Sequence, residues 1–248
     1  MNKHLLSFFF FLPVLLFSQA VNIEKKREGE EDKNLIGRIN LAVNFNKSAN
    51  SIFTAQNSTQ IQYHQDKNIY LFLTDLQIMQ IDTIRYLNNG FFHFRYNHNF
   101  DNEWFIAEAF SQVQFNRIQK IQRRFLWGTG GRFIIWNDDK YKIFAGLAAM
   151  YEFELYIDNT FQDYIRMSDY ISLELQPTPE LKIRHTTYYQ PKIDQFGNFR
   201  ITNETSLEVK LLKNLSFRTA FNHFYDSKPA PAVQKIFYSL NNGISYRF

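Results

Sequence analysis

The charged side chains with the most informative spacing in this sequence are arginines and glutamates on one side of a two-residue alternation in neighbouring segments. Guanidinium and carboxylate groups that meet in this way form charge-assisted hydrogen bonds, and a confined pair is costly to break because the remaining charge is left unpaired. We therefore predict a network of ion pairs. Its members are Arg95, Glu108, Arg124, Arg132, Glu152 and Glu154.

The turn between the first two members predicts how they pair. Asp101 and Asn102 have the length and composition of a two-residue hairpin connection, which sets Arg95 directly opposite Glu108. Opposite charges that face each other across strands contribute about 0.2–1 kcal/mol when hydrated. We expect a larger loss when one partner of a confined pair is removed.

The next two hairpins extend the network. Glu108 comes level with Arg132 if Asn116 faces Arg124. Arg124 then faces one of the two glutamates of the network, and the choice depends on one residue of loop length. Two roles stay open for these side chains: they brace the wall of the fold, or they line a path for a small polar or charged solute.

The elements that must position these side chains are strands. Apolar and polar residues alternate along the first segment, which is the two-residue period of a strand with different surroundings on its two faces. The same period recurs along the chain and predicts twelve strands, at 35–46, 52–64, 68–82, 90–100, 103–116, 122–136, 141–155, 164–176, 180–190, 198–211, 215–225 and 234–248.

The connectors between these strands are alternately short and long. Tight turns lie at 65–67, 101–102, 137–140, 177–179 and 212–214, and the longer connectors include 156–163, 191–197 and 226–233. This asymmetry and an even strand number are typical of outer-membrane barrels, in which the short turns face the periplasm. The sequence therefore predicts an all-β fold, a transmembrane antiparallel up-and-down β-barrel of about twelve strands, with ten and fourteen strands as alternatives.

Barrel size indicates which face points inward. A soluble barrel of about eight strands can fill its interior with side chains, whereas about twelve strands with an apolar interior would enclose more space than side chains fill. We therefore predict that the apolar face contacts lipid and that the charged network lies in the lumen. The predicted function is a narrow or occluded passive channel for small polar solutes, or a structural or accessory envelope protein. The alternative is a soluble periplasmic β-barrel binding protein.

The ends of the chain predict export and membrane insertion. An apolar run at 5–17 after Lys3, followed by small residues, has the plan of a secretory signal peptide. We predict a signal peptide at 1–20, a charged periplasmic leader at 21–34 and the barrel at 35–248. The last strand alternates aromatic and aliphatic residues and ends on Tyr246 and Phe248, which resembles the signal that barrel-insertion machinery recognises.

Composition bears on disulfide bonds and on nucleic-acid binding. The chain has no cysteine, so it is held together without disulfides. Its formal net charge of +4 does not indicate nucleic-acid binding. We predict a monomer in the bacterial outer membrane, with membrane lipid and, during assembly, the insertion machinery as partners.

Motifs in the middle of the chain resemble a known family. They are His93-Phe94-Arg95-Tyr96; Glu108-Ala109-Phe110 with Gln112, Gln114 and Asn116; Arg124, Leu126, Gly128, Gly130 and Arg132; and Met150-Tyr151-Glu152 with Glu154. They look like the uncharacterised barrel family sometimes called salt-induced outer membrane proteins, and Asn22-Ile23-Glu24 with Arg27 is similar to its leader. The resemblance is dense only between about residues 90 and 155. It implies an outer-membrane barrel and brings no established activity.

The sequence contains no residue pattern that indicates an enzyme. Of the histidines, His185 and His223 fall on the apolar face, and His93 and His98 share a strand with no serine nearby. There is no nucleophile-elbow pattern, and a catalytic triad is recognised by geometry rather than by sequence position. We predict no catalytic residues, no metal and no cofactor. An outer-membrane lipid hydrolase is the alternative, and a lipid-facing serine and histidine that meet across two strands would favour it.

Overall fold

The protein is described by a computed structural model of residues 34–101 and 104–246. The predicted signal peptide, the leader apart from Asn34, and the terminal Phe248 lie outside these residues. The described residues form thirteen strands, which are β1 (Leu35–Lys47), β2 (Ser51–Gln65), β3 (Asn68–Ile81), β4 (Ile84–Asn99), β5 (Phe105–Asn116), β6 (Ile121–Asn137), β7 (Tyr141–Tyr156), β8 (Phe161–Met167), β9 (Asp169–Thr178), β10 (Leu181–Pro191), β11 (Phe199–Leu212), β12 (Leu215–Asp226) and β13 (Ile236–Tyr246).

The strands form one antiparallel sheet in chain order. β8 and β9 both pair with β7, β8 along 149–155 and β9 along 141–146, and Ser168 separates them. The two strands therefore share one position, and the 13-stranded sheet runs through twelve positions. The predicted all-β antiparallel up-and-down fold is confirmed, and the strand predicted at 164–176 is interrupted at Ser168. Among the described residues, no helix has the length and apolar character needed to cross a membrane.

Burial separates the two faces of the sheet. Charged and polar side chains are buried on one face, where the exposed fraction is 0% for Glu152 and 4% for Arg95. Large apolar side chains are exposed on the other face, at 73% for Leu41 and 50% for Trp127. Water-soluble proteins bury charged residues rarely and place apolar residues inside, so this distribution is reversed.

The buried face also holds a small apolar cluster. Leu71 and Leu73 of β3 are buried, and Phe91 of β4 packs against them. The ladder sets Leu73 opposite His93 and Leu71 opposite Arg95, so the cluster borders the charged residues directly. The buried face is therefore mostly polar, with one small apolar cluster beside the charged residues.

The hairpin between β4 and β5 is wider than predicted. β4 ends at Asn99 and β5 begins at Phe105, so residues 100–104 replace the predicted two-residue connection. Arg95 consequently pairs in the ladder with Phe110, and the prediction that it faces Glu108 is wrong by two residues. A shift of two residues keeps every side chain on its predicted face, because the side-chain period of a strand is two.

The register of the next hairpin also differs from the prediction. Arg124 pairs with Gln114 rather than Asn116, and Glu108 is not level with Arg132. The physical reason is the short turn, because Asn116 pairs with Ile121, and a one-residue irregularity in the ladder between Gln114 and Asn116 restores part of the expected register. The displacement is again two residues, so the faces are unchanged.

β4 is longer than the strand predicted at 90–100. β4 begins at Ile84 rather than at residue 90, which reduces the connector after β3 to residues 82–83.

Within the described residues, β1 and β13 each have one hydrogen-bonded neighbour. Nearly all residues of β1 are exposed on both faces. The backbone ladder of the described residues therefore leaves a seam between the first and last strands.

Candidate functional site

Two glutamates of β7 form the centre of the candidate site. The alternation of the strand places Glu152 and Glu154 on the buried face, two residues apart. The exposed fraction of Glu154 is 1%. A carboxylate buried to this extent is stable only when charged or polar partners replace its hydration, and several partners surround both groups.

Glu152 forms ion pairs with three arginines. Arg166 of β8 donates from Nε to Oε2 at 3.0 Å. Arg200 of β11 donates from Nη1 to Oε1 at 2.6 Å, and Nε of Arg124 in β6 lies 2.9 Å from the same oxygen. One carboxylate thus joins three strands that are far apart in the sequence.

Both carboxylate oxygens of Glu154 also accept hydrogen bonds from several side chains. Its Oε1 accepts from Arg124 and, at 2.9 Å, from Nη2 of Arg200. Its Oε2 accepts from the hydroxyl of Tyr164 and, at 2.7 Å, from that of Tyr156. Arg124 also donates to Oε1 from Nε at 2.7 Å, so four residues fill the acceptor capacity of this ionised carboxylate. Arg124 also faces Glu154 in the ladder, which is one of its two predicted partners.

Arg200 spans the interior of the sheet. Its Nε donates to Oδ2 of Asp226 in the neighbouring β12 at 2.9 Å, while its other nitrogens reach the glutamates of β7. Two strand positions, those of β9 and β10, separate β7 from β11. A contact across this separation requires the sheet to curl, so the buried face encloses a space.

Arg166 and Lys192 connect the cluster to the loop between β10 and β11. Nη1 of Arg166 donates to the carbonyl oxygens of Gln190 at 2.6 Å and Asn198 at 3.3 Å. Nζ of Lys192 lies 3.5 Å from the ring centroid of Tyr164. Burial, reinforced by the positive charge of Arg166, lowers the pKa of Lys192. This end of the interior is therefore dense in positive groups that are compensated by buried acceptors.

A second ion pair lies on the same face. Nη1 of Arg95 donates to Oε2 of Glu108 at 3.1 Å, although the two residues are diagonal in the ladder. The guanidinium carbon of Arg95 lies 5.3 Å from the ring centroid of Phe110. Gln114 extends the polar surface towards the first cluster by accepting from Nη1 of Arg124 at 3.3 Å. The structure therefore brings five of the six predicted residues into two groups.

Arg132 occupies a different part of the buried face. It stands eight residues along β6 from Arg124, which corresponds to about 26 Å at the rise of a strand. Its guanidinium carbon lies 3.8 Å from the ring centroid of Phe144. Its ladder partners are Ile106 and Gly146. The structure therefore places Arg132 among aromatic and small residues, away from the glutamates of β7.

Two small cavities adjoin the cluster. One of about 40 Å³ reaches from His93 to Glu152, and one of about 20 Å³ lies under the loop between β12 and β13. Arg124 and Arg200 line both cavities, so their guanidinium groups separate them. Because one water needs roughly 10–15 Å³ of such volume, the cavities hold only a few water molecules.

Besides Tyr156 of β7, four members of the cluster were not among the predicted site residues. They contribute a guanidinium or hydroxyl donor from β8 or β11, or an acceptor from the end of β12. The signal that could have found Arg200 was its position on the polar face of the strand predicted at 198–211. The four residues are Tyr164, Arg166, Arg200 and Asp226.

The histidines bear on the hydrolase alternative. His93 is buried, with Nδ1 3.0 Å from Oε1 of Gln112. His185 lies on the exposed face, and the hydroxyl groups that contact its ring are those of Thr187 and Thr205 rather than a serine. Within residues 34–101 and 104–246, no group of three or more His, Asp or Glu side chains could hold a metal ion.

Comparisons with known proteins place the chain in a family. Two porins of known structure are similar to it: "NanC porin structure in rhombohedral crystal form" has 6% sequence identity, a TM-score of 0.48 and coverage of 79% of this chain and 94% of its own. "KdgM porin in complex with disordered oligogalacturonate" has 9% identity, a TM-score of 0.42 and coverage of 86% and 99%. No curated protein matches the sequence significantly. The family described as "Protein of unknown function, DUF481" matches residues 39–248, so this chain belongs to the DUF481 family.

Proposed function

We propose that this protein is an integral outer-membrane β-barrel that acts as a narrow passive channel, occluded in the present conformation. One observation supports this most strongly: paired charges are buried on one face of the sheet and large apolar side chains are exposed on the other. A charge that faces lipid near the midplane costs roughly 2–4 kcal/mol, whereas an apolar side chain there is favourable. A soluble protein rarely exposes so large an apolar surface.

The ion-pair cluster supports the occluded state. Its guanidinium groups lie between two cavities that each have room for only a few water molecules. The loop between β12 and β13 lies over the same end, where Nζ of Lys120 donates to the carbonyl oxygen of Pro231 at 2.8 Å. Passage of a small polar solute would therefore require the cluster or this loop to move.

Conductance in a planar bilayer tests the proposal. The double variant Arg200→Ala, Glu154→Ala removes one positive and one negative group from the ion-pair cluster between the two cavities, so the net charge is unchanged. We expect low conductance from the wild type and at least a severalfold increase from this variant. The matched control is Lys182→Ala, Glu174→Ala, a pair 2.8 Å apart that is half-buried and does not line either cavity.

The control should conduct like the wild type. A wild type that conducts as a wide open pore would contradict the occluded state. If all three proteins insert but none conducts, the channel is rejected and a structural or accessory role in the envelope is favoured. If the protein stays in solution without detergent, the membrane assignment itself is rejected.

A further inference from the structure

The exposed face of the sheet, which is mostly apolar, carries a hydrogen-bonded chain of polar side chains that is longer than the group of Asn57, Thr59 and Thr74 on the same face. These side chains belong to β10, β11 and β12 and occupy positions whose neighbours along each strand face the interior. We call this set the outer polar chain. Its members are His185, Thr187, Asn203, Thr205 and His223.

The hydrogen bonds of the outer polar chain are continuous. Nδ1 of His185 lies 2.8 Å from Oγ1 of Thr205, and Nε2 of the same ring lies 2.9 Å from Oγ1 of Thr187. Thr187 donates to Oδ1 of Asn203 at 2.7 Å, and Nδ2 of Asn203 lies 3.2 Å from Nδ1 of His223. One proton assignment satisfies every link, in which each side chain donates to the next one from Thr205 to His223.

Apolar side chains surround this chain. In the ladder, Ile171 stands beside Thr187 and Phe221 stands beside Thr205. Leu240 of β13 stands beside Phe221 on the far side. All three apolar side chains are exposed. The outer polar chain is therefore a polar island that these three apolar side chains border.

The island lies in the middle of the wall. His185 is four residues from the beginning of β10 at Leu181, and Thr187 is four residues from its end at Pro191. At about 3.3 Å per residue, both are more than about 10 Å from the nearest strand end. Polar side chains at such depth are costly against hydrocarbon, and they usually face other protein.

We propose that the outer polar chain is the contact surface for a second copy of this protein within the membrane. The proposal rests on the proposed function in one respect, since it requires this face to be the lipid-facing wall. Hydroxyl, amide and neutral imidazole groups both donate and accept hydrogen bonds, so the same island on a copy related by a two-fold axis is complementary to it. The island contains no Asp, Glu, Lys or Arg side chain. Apolar surface alone drives little association in lipid, whereas side-chain hydrogen bonds between membrane segments do.

A lipid hydrolase is the competing interpretation of the same residues. The contact between Thr187 and His185 has the spacing of a hydroxyl nucleophile and its base. Lipid ester bonds, however, lie at the membrane interface, whereas these side chains are near the middle of the strand. The depth of the island therefore favours a protein contact.

An apolar variant of the island tests the dimer. It carries His185→Leu, Thr187→Val, Asn203→Leu, Thr205→Val and His223→Leu, which turn the island into ordinary lipid-facing wall and so should leave the barrel folded. The control carries Phe92→Leu and Val113→Leu on the exposed face of β4 and β5, half the sheet away. Oligomeric state is measured by light scattering in detergent and by counting labelled subunits in phosphatidylcholine vesicles. Slow migration after boiling, against fast migration before it, shows that each protein is folded.

We expect dimers from the wild type and the control, and at least a tenfold weaker dimerisation of the apolar variant. A folded, inserted but monomeric wild type would overturn the dimer and leave the proposed function intact. An apolar variant that still dimerises would overturn this surface as the contact. Release of fatty acid from the vesicles by a monomeric wild type, lost in Thr187→Val, would replace the dimer with the hydrolase. Failure of every protein to insert would reject the proposed function instead.

Discussion

At the scale of single residues, the cluster around β7 balances its charges locally. Arg124, Arg166 and Arg200 contribute the positive groups, and Glu152, Glu154 and Asp226 contribute the negative ones. Buried ion pairs of this kind often add little net stability compared with apolar residues of similar volume, but removing one partner is strongly destabilising. The buried face around β7 is therefore polar, and replacing any one member of the cluster should lower the stability of the protein.

Replacing Glu152 with alanine tests this sensitivity. Glu152→Ala removes the carboxylate that pairs with all three arginines, so we expect the free energy of unfolding to fall by about 3–5 kcal/mol. The matched control is Glu174→Ala, which also removes a carboxylate that contacts two basic residues but is 28% exposed. A half-exposed pair contributes about 0–1 kcal/mol. Urea unfolding from lipid vesicles, followed by tryptophan fluorescence, gives both values, and equal losses would contradict the role of burial.

At the scale of elements, Gly130 of β6 lies where β7 leaves no room for a side chain. A Cβ atom at Gly130 would lie 2.2 Å from the carbonyl oxygen of Leu147 and 2.5 Å from Cβ of Ala148. The first of these is backbone and cannot rotate away. A side chain at Gly130 would therefore disturb the pairing of the strand that carries Arg124 with the strand that carries the two central glutamates.

Gly130→Ala should consequently loosen this pair of strands. We expect a destabilisation of about 1–3 kcal/mol, the usual range for overpacking. The control is Gly37→Ala in β1, where the nearest atom to the added Cβ is the carbonyl oxygen of Gln60 at 3.7 Å, an ordinary contact. The control should be neutral or slightly stabilising, since alanine restricts the unfolded chain more than glycine. The same unfolding measurement applies, and a neutral Gly130→Ala would show that β6 and β7 have room to separate.

The sequence was informative about elements and less so about their pairing. Two-residue alternation predicted the strands and their faces, because burial on one side of a strand imposes that period directly. Register depends on turn conformation, so the hairpin at residues 100–104 displaced the expected partner of Arg95 by two residues. The contact between Arg200 and the β7 glutamates could not be predicted at all, because alternation gives the face of a residue but not what it meets across the enclosed space.

At the scale of the whole molecule, β1 and β13 each have one neighbouring strand among residues 34–101 and 104–246, and an open sheet edge conflicts with a lipid environment. Backbone donors and acceptors at an open edge have no water partners in the bilayer, and each unsatisfied group there costs several kcal/mol. The sheet has twelve positions, an even number, so its first and last strands run antiparallel. Antiparallel pairing of β1 with β13 would satisfy both edges and close the barrel.

Closure makes a prediction about which side chains of the two strands can meet. Leu41 is exposed on the outer face of β1, and every second residue of β13 from Tyr238 to Ile244 shares that face. Since the chain contains no cysteine, Leu41→Cys combined with a cysteine at each of these positions in turn gives pairs without a competing thiol. In membranes, at least one pair should form an intramolecular disulfide, because directly facing residues have the Cα separation that a disulfide needs. Cysteines at Ser239 or Asn241 point to the opposite face and should remain unlinked to Leu41→Cys. If no outer pair forms the link, or if the inner positions link equally well, then β1 and β13 are not neighbours and the sheet does not close along this seam.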